Sequence, residues 1–170
     1  TAIPASNPYN PGEHGFDYWL SKSIQFNLNP ILSRNGVIEQ FKGDGSEVIV
    51  DEALKFITGQ TVKNKPFFVV VWYSTPHRDF EASKEDVAPY LGRTDESSAL
   101  QLGELAAMDR SLGTLRQRLR DLDIDKNTLV WFTSDNGGLP DIAYRPDLPG
   151  VHPDSTGHLR GFKKDLYEGG

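Results

Sequence analysis

The sequence predicts an α/β fold, a mostly parallel sheet with flanking helices. Two apolar runs, Phe67–Tyr73 and Leu129–Thr133, are unbroken and rich in β-branched and aromatic residues. Such runs read as strands buried on both faces, as in a sheet covered by helices. Between them, residues 97–122 carry the clearest helical period in the chain. The order strand, helix, strand, with a crossover of this length, suits a parallel pair.

Length and composition bound the rest. The 170 residues suit one domain, able to bury roughly 70% of its unfolded surface. The chain has no cysteine, which excludes disulfide scaffolds, zinc–thiolate sites and cysteine nucleophiles. Its 18 basic and 24 acidic residues leave a net charge of −6. That balance argues against a general nucleic-acid binder, which carries a basic patch. No stretch approaches the ~20 apolar residues of a membrane span. The N-terminus, Thr1-Ala2-Ile3-Pro4, shows neither the charged nor the apolar region of a targeting signal.

Along the chain, residues 1–12 are rich in Pro and Asn and read as an extended loop, followed by an aromatic patch of Phe16, Tyr18 and Trp19. Asn35-Gly36 and Gly43-Asp44-Gly45 are turn signals. Ser46 reads as a helix N-cap. Val50, Ala53, Leu54 and Ile57 then form one apolar face, and Gly59 is a stop signal. Pro66 introduces the first strand run, and Pro76 cannot continue its ladder. In the long helix Leu105, Met108, Leu112, Leu115, Leu119 and Leu122 recur at steps of three and four, with the arginines off that stripe. Asp125-Lys126-Asn127 turns the chain into the second strand run. Residues 137–160 read as a long loop, which in a compact domain is usually functional or disordered.

Both strand runs end in residues capable of chemistry: His77 after the first, Asp135 and Asn136 after the second. In open α/β sheets ligands collect outside the carboxyl ends of strands. Asp135 and Asn136 offer adjacent carboxylate and amide oxygens, which suit a hard cation such as Ca²⁺ or Mg²⁺; Asp-Asn-Gly-Gly is equally good turn chemistry. His77 can bind an anion or move a proton near neutral pH, or simply follow Pro76 in a surface loop. Lys163 and Lys164 can clamp an anion as point charges, or be solvated, and Arg160 can do the same or brace its loop. His14, His152 and His158 have no spaced partner and read as surface residues. Asp109 lies beside the leucine stripe and reads as a helix brace.

Five segments in order resemble the type I sulfatase family of the alkaline-phosphatase-like superfamily. They are Gly15-Phe16-Asp17-Tyr18-Trp19; Lys65-Pro66-Phe67-Phe68 through Pro76-His77; Met108-Asp109-Arg110-Ser111-Leu112-Gly113; Asn127-Thr128-Leu129-Val130 through Thr133-Ser134-Asp135-Asn136-Gly137-Gly138; and Leu159-Arg160-Gly161-Phe162-Lys163 through Leu166-Tyr167-Glu168-Gly169-Gly170. Together they cover nearly the whole chain. The resemblance implies a partial alkaline-phosphatase-like sandwich that hydrolyses a sulfate ester of a carbohydrate or aryl group. Asp135 and Asn136 would be metal ligands, for Ca²⁺ in most members. His77 would contact the sulfate, and Lys163 would bind it and stabilise charge in the transition state. Lys164 stands where the family has a small residue, and Phe162 where it commonly has glycine.

The departures matter as much. The family's formylglycine nucleophile, made from Cys or Ser in a C/S-x-P-S/A-R signature, is absent. So are its paired-Asp metal site and its G-K-W-H segment, and all three are expected upstream of Thr1. Ser74-Thr75-Pro76-His77-Arg78 fits the serine signature only superficially, since its serine closes a strand. The resemblance therefore implies residues 1–170 as the central part of a catalytic domain, truncated at both ends, of a roughly three-fold longer enzyme. Alone, the piece is expected to be inactive: Ca²⁺ takes six to eight oxygens, and no nucleophile is present. Central strands cut from a larger sheet also lead us to expect self-association.

Two other readings remain open. One is a phosphate or phosphonate ester hydrolase of the same superfamily. The other is a non-catalytic module that binds a sulfated glycan, with Phe16, Tyr18 and Trp19 lining a sugar site. The family resemblance implies a periplasmic, secreted or lysosomal location.

Overall fold

The computed structural model describes residues 3–138 and 156–170. Most of the loop read at 137–160, with His152, lies outside the described residues, as do Thr1 and Ala2. The fold is α/β, as the sequence predicts. Short strands β1 (Leu20–Ser21), β2 (Ile31–Arg34) and β3 (Val37–Gln40) precede helices α1 (Gly45–Val62), α2 (Lys84–Val87) and α3 (Glu96–Asp121).

The three strands form one antiparallel sheet in the order β1-β2-β3. The β2–β3 hairpin pairs Arg34 with Val37 and Ile31 with Gln40. Its two-residue loop is the Asn35-Gly36 turn signal, with φ of 47° and 93°. Both values are left-handed, as the tightest hairpin turns require. Any side chain at Gly36 would also run into Ala5, whose Cβ lies 2.3 Å from where a new Cβ would sit.

Helix boundaries follow their caps. Asp44, not Ser46, caps α1: its carboxylate accepts the Ser46 amide at 2.8 Å. The helix runs through Gly59 and stops at Val62. There Asn64 takes a left-handed φ of 51°. The Asn64 and Lys65 amides donate to the Thr61 and Gln60 carbonyls, a Schellman closure. Asp95 caps α3 by accepting the Ser98 amide at 3.0 Å. Asp123 and Ile124 close α3 in the same way onto Arg120 and Leu119.

Helices α1 and α3 pack on each other around Val50, Leu54, Ile57 and Leu119, with Leu115, Leu122 and Ile124 at the margin. Phe67, Val69, Val71 and Tyr73 complete this core. Here the structure corrects two expectations. The 67–73 run is packed on one face only: residues 68, 70 and 72 point outward, an alternation of two that marks extended chain. Neither it nor 129–133 joins a backbone ladder among the described residues, so the paired strands are antiparallel ones earlier in the chain. Helix α3 also buries more than the leucine stripe: Leu119 lies in this core with Leu115 and Leu122 packed against it, whereas the first half of the helix buries small residues instead. Its tightest face is Ala99, Gly103, Ala107 and Ser111 at steps of four, while Leu105, Met108, Leu112 and Leu115 are half-buried. Small residues there let the chain before α2 approach: a Cβ on Gly103 would lie 2.9 Å from that of Ala82.

Candidate functional site

The carboxyl ends of the two apolar runs lie together. The Tyr73 and Phe132 rings meet edge to face, with centroids 6.5 Å apart, the geometry aromatic pairs favour. The polar segments 74–81 and 134–138 continue from these two rings.

His77 is exposed at the crest of the first segment, and its amide donates to the Ser74 carbonyl at 3.1 Å. Its Nδ1 lies 2.6 Å from the Arg78 carbonyl oxygen. A carbonyl only accepts, so this bond assigns the proton to Nδ1. In the neutral ring Nε2 is then the unprotonated nitrogen.

The segment is stitched to the chain before β2. The Phe26 amide donates to Ser74 Oγ at 2.7 Å, Asn27 Nδ2 to the Asp79 carbonyl at 2.7 Å, and the Leu28 amide to Glu81 Oε2 at 3.3 Å. Between the two stretches lies an open cleft of about 460 Å³, lined in part by Lys22, Phe26, Asn27, Ile31, Arg78 and Asp79.

Asp135 is exposed and Asn136 half-buried in a turn where Ser134 Oγ donates to the Asn136 carbonyl at 2.7 Å. The turn that the sequence offers here therefore forms, and it leaves both side chains available as oxygen donors. Directly after it the chain docks on the C-terminal segment. The Lys163 amide donates to the Gly138 carbonyl at 3.0 Å, and the Gly137 amide to the Gly170 carbonyl at 3.2 Å. The approach is so close that a Cβ at Gly137 would lie 1.7 Å from the Gly169 oxygen. The C-terminal segment braces itself through the Gly169 amide on the Arg160 carbonyl and the Arg160 guanidinium stacked 3.8 Å over the Tyr167 ring. Arg160 is thus a brace of its loop, one of its two sequence readings. Backbone contacts bring the Asp135–Asn136 turn and Lys163 together, and the Tyr73–Phe132 pair brings the His77 segment alongside.

Two oxygens are far short of a Ca²⁺ shell. Among the described residues no group of three or more His, Asp or Glu side chains converges to hold a metal ion. The donor types at Asp135 and Asn136 fit a hard cation as part of a set, not as a complete site. Also among the described residues, no helix is long and apolar enough to cross a membrane.

Two charged clusters escape a reading of motifs. Arg34, from β2, joins Tyr18, Glu39 and the buried Glu52. Glu104, on α3, is 0% exposed, and its Oε1 accepts the Glu81 amide at 2.8 Å. A signal for the second exists in the sequence. Glu104 follows Gly103 on a helix face of alanines and serine, where a carboxylate is out of character.

The described structure is thus an α/β core in which the segments that carry His77 and Asp135–Asn136 leave two touching rings, and the segment that carries Lys163 docks on the second of these segments. The chain belongs to the Sulfatase family, whose model matches residues 3–170. It is 28% identical to canine (Canis lupus familiaris) N-acetylgalactosamine-6-sulfatase over 95% of this chain and 33% of that protein. It is 28% identical to an ulvan-active sulfatase of Formosa agariphila over 77% of this chain and 30% of that one. Among solved structures, Ps i-CgsB in complex with k-i-k-neocarrahexaose superposes with a TM-score of 0.81 at 23% identity, over 97% of this chain and 40% of that one. This last likeness concerns the fold alone. The chain spans about a third of the length of the curated relatives it matches.

Proposed function

We propose that residues 1–170 are the central part of the catalytic domain, continued at both ends, of an exported or lysosomal enzyme that hydrolyses sulfate esters on carbohydrates. The observation that carries this reading is the pair of backbone bonds that dock the C-terminal segment with Lys163 on Gly137 and Gly138, directly after the Asp135–Asn136 turn. It supports one anion site built from both segments. Family membership and sulfatase relatives named for sulfated sugars and for ulvan support the substrate class.

Asp135 and Asn136 would supply two oxygens to a bound divalent cation, Ca²⁺ by family resemblance. Such an ion, when bound, holds and polarises the sulfate oxygens. Lys163 presents an ammonium to the same oxygens, where negative charge grows as the ester bond breaks. His77, with its Nδ1 proton held by the Arg78 carbonyl, offers Nε2 to the sulfate as a hydrogen-bond donor when the ring is protonated. The nucleophile, a formylglycine by the same resemblance, belongs to a segment outside this chain. Residues 1–170 alone would therefore bind weakly and not turn over.

The test is sulfate release from sulfated oligosaccharides by the full-length protein that carries this chain. His77→Ala and Lys163→Ala should each lower kcat about 100-fold or more, and chelation should abolish turnover reversibly. Phosphate release in preference to sulfate would replace this reading with the phosphate-ester one. Glycan binding without turnover, insensitive to chelation, would replace it with the binding-module one. Sulfate release by the isolated 170 residues, lost on His77→Ala, would overturn the claim that the piece is inactive.

A further inference from the structure

Glu104 is a fully buried carboxyl in a place built for close packing. Its neighbours on the same face of α3 are Ala99, Gly103, Ala107 and Ser111. Residues 82–87 press against that face: Val87 Cγ2 and the Asp86 carbonyl carbon lie within 3.3 Å of a Cβ built on Gly103. Burying a carboxyl is costly unless its oxygens are matched. Oε1 is matched by the Glu81 amide, and Oε2 has no hydrogen-bond partner. The charged groups that act on it are Asp44, the cap of α1, and Glu81, both acidic. Among the described residues Glu104 makes no ion pair, so it is not a charge pair that merely braces the helices.

What Glu104 does hold is the chain four residues beyond His77. Glu81 is gripped twice: its amide by Glu104 on the helix side, and its carboxylate by the Leu28 amide on the other. The segment 74–81 is also tied to 26–28 through Ser74 and the Asp79 carbonyl. His77 sits exposed between these ties. Among the described residues its ring bonds only the carbonyl of its own neighbour Arg78. The height and tilt of the imidazole are therefore set by where the ends of the segment are pinned.

We propose that Glu104 is a positioning residue: by fixing the Glu81 amide from α3, it sets the place at which the 74–81 segment presents His77 to substrate. This inference rests on the reading of His77 as a sulfate-contacting group. A buried side chain that shifts a reacting group by an ångström can cost as much as two decades in rate.

The experiment is a set of variants of the full-length protein with two readouts. The first is kcat and KM for sulfate-ester hydrolysis; the second is hydrogen exchange at the Glu81 amide. Glu104→Ala should lower kcat between about tenfold and a hundredfold, with KM moved less, and should speed exchange at Glu81. Glu104→Gln keeps an oxygen in the same place and should restore both. Glu104→Asp draws the carboxyl back by one bond without opening a large void. It should reproduce the loss if Glu104→Ala fails to fold.

Combined with His77→Ala, Glu104→Ala should cost almost nothing further, because it acts through the histidine. Losses that multiply in the double variant would overturn the proposal, as would unchanged kcat in a Glu104→Ala or Glu104→Asp variant whose Glu81 amide exchanges faster. If His77→Ala itself leaves turnover intact, the reading of the histidine fails and the positioning role falls with it, while exchange at Glu81 still reports the tether.

Discussion

Tyr73 and Phe132 meet edge to face at an interplanar angle of 74°, and the Tyr73 hydroxyl shares a hydrogen bond of 2.9 Å with Ser111 Oγ on α3. One ring thus ties the first apolar run to the second and to the long helix. Because His77 and Asp135 follow these rings by four and three residues, the pair is the joint on which both halves of the candidate site turn. Burial also pushes the Tyr73 phenol above its ordinary pKa, so it is a neutral hydroxyl at any working pH.

A double-mutant cycle measures this joint. Tyr73→Phe should cost about 1 kcal/mol by removing the hydroxyl bond. The Tyr73→Ala and Phe132→Ala changes should show a coupling of about 1 kcal/mol in urea unfolding. Additive losses would mean that the rings touch without holding the runs together.

Gly137 offers a sharper test of the second contact. A methyl group there would have to occupy the space of the Gly169 carbonyl oxygen, and backbone cannot yield as a side chain can. Gly137→Ala should therefore separate the Asp135–Asn136 turn from Lys163 while leaving the α1–α3 core intact. In the full-length protein, the expected result is loss of sulfate-ester turnover with little change in melting temperature. Full activity in Gly137→Ala would show that Lys163 needs no such docking.

Features set by local chemistry were legible in the sequence, and those set by distant partners were not. The Asn35-Gly36 turn, the apolar face of α1 and the docking of 67–73 against the helices follow from short-range pattern and turn preference. The Asp44 cap was hidden because Asp44 and Ser46 are both good capping residues two positions apart, and only the bond to the Ser46 amide separates them. The leucine stripe of α3 was legible at its C-terminal end, where Leu119 is buried, and misled before it, because periodicity finds large apolar residues whereas the tight face there uses small ones. Ladders at 67–73 and 129–133 are a further case: an apolar run specifies extended chain, but a ladder needs a neighbouring strand to bond to. For the site, the motifs marked Lys163 and Asp135 separately. The docking of their two segments depends on Gly137, whose lack of a side chain carries no periodic signal.

The outward faces of the two runs lead to a prediction about the isolated chain. Phe68 and Trp72 are 78% and 85% exposed, and Leu129 and Trp131 88% and 82%. An apolar surface of this kind on extended backbone that joins no ladder among the described residues invites another chain. We expect residues 1–170 alone to associate with rising concentration, read as growing mass by light scattering. Trp72→Lys with Trp131→Lys should restore a monomer. A wild-type chain that stays monomeric at high concentration would contradict this.

Two buried carboxyls should give stability a dependence on pH with opposite signs. Burial alone would raise Glu52, but hydrogen bonds from Arg34 and Lys55 outweigh it and hold the group at about 2. Its contribution is present above pH 4.5 and is lost as pH falls toward 2. Glu104 is pushed by burial, and then by Asp44 and Glu81, up to about 7 against an ordinary 4.5. The folded state then holds a proton that the unfolded chain has released, so stability falls as pH rises from 4.5 through 7. The difference of about 2.5 units corresponds to a loss on the order of 3 kcal/mol by pH 8. Glu104→Gln cannot ionise and keeps the acceptor for the Glu81 amide. Urea unfolding should therefore find variant and wild type similar near pH 4.5, and the variant increasingly more stable as pH rises to 8. A constant difference across that range would show that Glu104 releases its proton at the same pH in the folded and unfolded chain, so that burial does not raise it.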